Sequence, residues 1–152
     1  MTKKIYGFLV LAMVLFITAC KQDPPILPSN LQNPLLIGKW GLDHFIIGTK
    51  INSDAEQSSL PIPGTANDFF IFAEVNQAVL SSTLYQKSFA GYYSANAAAS
   101  TLSFKSGEVL IKYNVTSISV TGLEISEVIS VTTDQSGNTT TITNHYTYNR
   151  LP

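Results

Sequence analysis

Beyond residue 34 the chain is written in period two. Apolar and polar side chains alternate in short runs, and most runs stop at turn-forming residues. Such alternation sends successive side chains to opposite faces of a strand, and tight turns between runs leave antiparallel pairing as the economical solution. The spacing predicts eight strands, over 37–48, 69–75, 78–85, 89–94, 100–104, 108–116, 123–133 and 139–149. Asn76-Gln77, Ser106-Gly107, Thr121-Gly122 and the run from Asp134 to Asn138 punctuate them. Thr, Ser, Tyr, Ile and Val are abundant, as strands prefer. No stretch of this part combines helical periodicity with caps, and no internal repeat is present. An up-and-down barrel or a sandwich is the expected architecture.

One connection breaks the meander. Residues 49–68 are long and polar, with Pro61-Ile62-Pro63-Gly64 inside them. Loops of that length in a compact domain are usually functional or disordered. This one is expected to hang near a barrel mouth, as a ligand lid, a partner-binding loop or a solvated insertion.

The N-terminus has a different character. Lys3 and Lys4 precede an apolar run over 5–17, followed by Thr18, Ala19 and the single cysteine, Cys20. A membrane-spanning helix needs about 20 apolar residues, so this run reads as a signal peptide over 1–19. Ile17-Thr18-Ala19-Cys20 resembles a bacterial lipobox, where the chain is cut and the new N-terminal Cys is acylated. The resemblance implies a membrane anchor through lipid on Cys20. One acyl chain holds a protein only marginally, and lipoproteins of this kind carry three. Lys21 in place of Asp at the second mature position implies the outer membrane. Lys21-Gln22-Asp23 partly resembles a surface-export signal, so the periplasmic face and the cell surface both stay open. Pro24, Pro25, Pro28 and Pro34 make 20–34 a semi-rigid tether that lifts the domain off the lipid.

With Cys20 acylated, the mature chain has no thiol for a disulfide, metal or nucleophile. It carries 7 Lys and Arg against 10 Asp and Glu, a net charge of −3 without a basic cluster. That argues against nucleic acid as a partner. Residues 35–152 are long enough to form one domain with its own core.

Gly38-Lys39-Trp40 resembles the Gly-x-Trp opening of lipocalins and the wider calycin group. In that group the Trp closes the barrel base and an Arg near the C-terminus packs on its ring; Arg150, in Tyr148-Asn149-Arg150, stands in that place here. The middle of the chain is similar to short lipocalin-like lipoproteins of Bacteroidota, in Phe70-Ile71-Phe72, Gly91-Tyr92-Tyr93, Leu102-Ser103-Phe104, Tyr113-Asn114-Val115 and Leu123-Glu124-Ile125. The resemblance spans nearly all of 36–151. It implies a closed eight-stranded barrel in which Trp40 and Arg150 serve structure. The Thr-Asp-Tyr motif of true lipocalins is absent, and no room remains for their C-terminal helix.

Chemistry is sparse. No nucleophile-elbow, Ser-x-x-Lys, phosphate-loop or His-Glu-x-x-His motif occurs, so no enzymatic activity and no cofactor is expected. By period two, His44 shares a face with Trp40, Leu42 and Ile46. His145 lies opposite the face of Tyr146 and Tyr148, so a shared metal requires a bulge. Glu127 falls on the apolar face of Leu123, Ile125, Ile129 and Val131, where a carboxylate could hold a ligand's polar head or sit at a rim. Glu74 is the one visible partner for a carboxylate pair. Phe70, Phe72, Tyr92, Tyr113, Tyr146 and Tyr148 fall on faces that could line one interior. The expected ligand contacts are Phe72, Tyr92, Tyr113, Glu127 and Tyr146, for a small apolar or amphipathic molecule. The alternative is a filled barrel that meets an envelope protein or glycan through 49–68.

Overall fold

The computed structural model describes residues 34–96 and 100–152. Cys20, the signal segment and the tether up to residue 33 lie outside the described residues. The chain forms a closed, antiparallel, up-and-down β-barrel of eight long strands. These are β1 (Gly38–Ile51), β4 (Phe69–Phe72), β5 (Gln77–Ser82), β6 (Lys87–Asn96), β7 (Thr101–Ser106), β8 (Val109–Ile118), β9 (Gly122–Thr133) and β10 (Thr139–Leu151). They run round the barrel in that order, and β10 closes on β1 from Lys39↔Leu151 to Ile51↔Thr140. Closure pairs both edges and leaves no open strand at the seam. Among the described residues no helix is long and apolar enough to cross a membrane.

Two short strands, β2 (Gln57–Ser58) and β3 (Ile62–Pro63), occupy the connection expected to hang free. Both pair with the upper half of β1, beyond the four residues that pair with β4. Thus β2, β3 and β4 form one interrupted strand descending along β1. The interruptions fall at Pro61, which cannot donate to a ladder, and around Gly64, whose N–H donates to the Asp43 carbonyl at 2.8 Å.

Three bulges set which side chains enter the barrel, one of them on β8, where Thr116 is the extra residue between Val115 and Ser117. On β1 the register passes from Leu42↔Tyr148 to His44↔Thr147, so Asp43 is the extra residue. Phe45 therefore turns inward opposite Tyr146, while His44 and Ile46 turn outward. On β9 the register passes from Val128↔Thr143 to Ser130↔Ile142, with Ile129 extra. Glu127 keeps the inward phase of Leu123 and Ile125. Val131 does not, and stands 60 % exposed on the outer face.

The core is an aromatic column. Phe70 sits at its centre, with ring centroids 4.6 Å from Phe72, 5.6 Å from Phe104, 5.9 Å from Tyr113 and 6.2 Å from Tyr148. Two of these pairs, with Phe104 and with Tyr113, meet edge to face, an arrangement the ring quadrupole favours.

Candidate ligand cleft at one end of the barrel

Strand direction defines two ends. At the first end, where β1 begins, Trp40 is fully buried and its indole N–H donates to the Leu36 carbonyl at 2.7 Å. Arg150 pairs with Trp40 across the β1–β10 seam and lies 4.9 Å over its ring. Its guanidinium also donates to the carbonyls of Ile37 and Val120, tying the incoming chain to the β8–β9 turn. Gly38 makes room for it. The backbone there has φ of +135°, and a Cβ would lie 2.8 Å from an Arg150 nitrogen. Neither Trp40 nor Arg150 is in the wall of a described hollow, but this end keeps a smaller one of about 100 Å³, walled by Leu36, Ala95, Val115 and Ile118 among others.

The other end is more open. A cleft of about 220 Å³ opens there, with Leu42, Phe45, Tyr113, Tyr146 and Tyr148 in its walls and Ile62 and Leu84 at its lip. The β5–β6 turn roofs it. Asp68, only 4 % exposed, precedes β4 and organises that turn. Its carboxylate accepts the backbone N–H and hydroxyl of Thr65 and the backbone N–H and hydroxyl of Thr83. Burial alone would raise its pKa. The hydrogen bonds from Thr83 and Thr65 outweigh burial and hold it below the ordinary carboxylate value. With Thr83 fixed, Tyr85 reaches across the mouth and its hydroxyl donates to Glu127 Oε2 at 2.5 Å.

Glu127 is the hub of the open end. Its Oε2 also accepts the Tyr146 hydroxyl at 3.1 Å, and Tyr146 in turn accepts from the Asn144 amide at 3.0 Å. Burial first, and then contact with Glu127, pushes the Tyr85 phenol far above its usual range; burial raises Tyr146 to about 12. Both phenols are therefore proton donors at neutral pH. Tyr113 and Tyr148 are 3 % and 4 % exposed, and burial raises both as well. No described residue makes a hydrogen bond to either hydroxyl, although both residues line the cleft.

Of the expected ligand contacts, Tyr113 and Tyr146 line this cleft and Glu127 is bonded to two of its wall tyrosines. Phe72 is buried in the column nearer Trp40, away from the opening. Tyr92 is a correction: it is 45 % exposed on the outer surface, and Tyr93 points inward in its place. Phe89 packs against the core, and counting by two from it selects 91, 93 and 95 for the inside. Glu74 lies in a 3₁₀ turn (Glu74–Asn76) at the Trp40 end. Gly38 and Ile47, which mark the levels of Phe72 and Glu127 on β1, are nine residues apart, roughly 30 Å of strand, so no carboxylate pair forms.

The Asp43 bulge also changes the histidine geometry. Both now face outward, His44 opposite Thr147 and His145 opposite Ile46. They contact different carboxylates. His44 Nδ1 is 2.7 Å from Asp43, and His145 Nε2 approaches Glu56 Oε1 at 2.8 Å without the alignment of a hydrogen bond. Among the described residues no three His, Cys, Asp or Glu side chains gather to hold a metal.

Sequence reasoning missed Asp68 and Tyr85. Thr65 and Asp68 flank a turn whose chemistry was visible in principle, since Asp and Thr side chains cap local backbone N–H groups. The contacts to Thr83, and from Tyr85 to Glu127, are non-local and leave no such mark. A second hollow of about 330 Å³ lies on the outside of β4–β6, lined by Ile71, Val79, Ala90 and Tyr92. It is larger but open to solvent, and no set of charged or hydroxyl groups converges on it.

No family model matches this chain, and neither a curated protein nor a solved structure matches it.

Proposed function

We propose that this protein is a lipid-anchored envelope lipoprotein of lipocalin-like type that reversibly binds a small amphipathic molecule in the cleft at the Glu127 end. The observation that carries the reading is the cleft itself. Its walls are aromatic and aliphatic, and a few polar groups converge on it, which is how small-molecule sites are usually built. The closed barrel and the Trp40–Arg150 stack support a cup whose larger mouth lies at the Glu127 end. The address rests on Lys3, Lys4, the apolar run and Cys20, which favour an outer-membrane lipoprotein held by acyl chains. The protein acts as a binder and not as an enzyme.

Native mass spectrometry of protein extracted gently from cells tests the binding. A discrete added mass, lost on denaturation, is expected; Tyr113→Ala should abolish it while the fold persists. Failure of every apolar probe to bind saturably would overturn the reading. Incorporation of labelled palmitate, abolished in Cys20→Ala, tests the anchor separately.

A further inference from the structure

The cleft's charge is one-sided. Asp68 is in its wall and Glu127 is one hydrogen bond behind two wall tyrosines, yet no Lys, Arg or His lines it. The two ion pairs among the described residues both involve histidines elsewhere. Neither cleft carboxylate therefore has a described cation to balance it.

Three further features point the same way. Glu127 Oε1 receives no hydrogen bond from a described residue, since both donors converge on Oε2. The Tyr113 and Tyr148 side chains are more than nine-tenths buried and line the cleft, and no described residue bonds either hydroxyl; neither oxygen is among the fully buried atoms without a partner, so both meet the open space. Polar groups in so enclosed a space usually find a partner, and each of these has lone pairs to offer. Finally, Phe45, Tyr85, Tyr113, Tyr146 and Tyr148 put five aromatic rings in the lining of the space, and aromatic rings attract cations through their quadrupole.

The classes of ligand differ sharply in such a site. An anion would be placed beside two carboxylates without a counter-charge. A purely apolar molecule would leave Tyr113, Tyr148 and Oε1 unmet. A protonated amine supplies the charge, the N–H donors and the cation for the rings together. We propose that the cleft is a site for a small organic ammonium ion with an apolar body, its N–H groups directed at the Tyr113 and Tyr148 hydroxyls and its charge balanced by Asp68 in the wall and by Glu127 one hydrogen bond behind Tyr85 and Tyr146. This rests on the ligand-binding reading above and names its ligand class. The lowered pKa of Asp68 agrees with it, because that carboxylate keeps its charge at neutral pH.

The test uses three probes of similar shape, 2-phenylethylamine, 2-phenylethanol and 3-phenylpropanoate, titrated into the purified protein at neutral pH and followed by NMR or calorimetry. The amine should bind at least about tenfold more tightly than the alcohol, with the carboxylate weakest. Glu127→Gln should weaken the amine about five- to tenfold and leave the alcohol unchanged. Tyr113→Phe, which removes only a hydroxyl, should weaken the amine several-fold and serves if Glu127→Gln does not fold. Equal binding of amine and alcohol, or preference for the carboxylate, overturns the ammonium assignment. So does saturable binding of an apolar fluorescent probe without binding of the amine; the ligand-binding reading then survives. If no probe of any kind saturates, both fall.

Discussion

The two ends of the barrel are made of similar residues and do opposite things. At the Trp40 end an aromatic side chain is fully buried, its one polar atom is bonded, and an arginine covers it. At the Glu127 end four tyrosines stand round an open space, and two of their hydroxyls have no described partner. The difference lies in the satisfaction of polar atoms. Rings packed as Trp40 is approach native density and contribute stability, even beside the smaller hollow at that end. An open end forgoes those contacts and leaves groups free to meet something else.

The sharpest way to break this comparison is truncation at each end. Trp40→Ala should cost about 3–5 kcal/mol, because it leaves a large cavity in a packed region. Phe45→Ala borders existing space and should cost less than about 2 kcal/mol. Urea denaturation of both variants checks this, and equal costs would mean that the open end is packed after all.

Asp68→Asn comes next, at about 2–3 kcal/mol, since a buried charge-assisted acceptor is lost and its donors stay behind. The effect has a pH signature. The folded pKa lies below the ordinary 3.8, so the carboxylate's contribution is fully present above that value and is lost as pH falls through the folded one. Wild type and Asp68→Asn should therefore converge in stability under strong acid. Parallel curves would remove the carboxylate from the account of the roof.

Arg150→Ala should cost about 1–2 kcal/mol through the lost stack and carbonyl bonds. Arg150→Lys should recover little of it, because a lysine cannot spread two donors while lying flat on the ring. Thermal melting separates the cases. The smallest effect on stability is expected from Glu127→Gln, within about 1 kcal/mol, because an amide oxygen can still accept from Tyr85 and Tyr146. A large loss there would make Glu127 a structural clamp and bring the two ends closer in kind.

The strands were legible from alternation and turns because both are local. All eight long strands fall where the runs of residues place them, and Trp40, Phe70, Phe72, Tyr113, Tyr146 and Tyr148 are buried as the pattern implies. All but one of the misplaced side chains share one cause. A period-two count holds only until a residue is added to one strand and not to its partner. Asp43 and Ile129 are such residues, and they redirect His44, Phe45 and Val131. Tyr92 is different. It was misassigned within a regular strand, where Phe89 already indicated the phase.

Composition and periodicity thus determined by themselves an antiparallel all-β domain and most of its core, since each depends on neighbours within a few residues, and left barrel and sandwich both open. Which end would carry the larger opening was decided only in three dimensions. Asp68 finds Thr83 fifteen residues on, and Tyr85 finds Glu127 forty-two residues on. A cleft consists of the distances between such groups, and those distances arise only once β10 closes on β1.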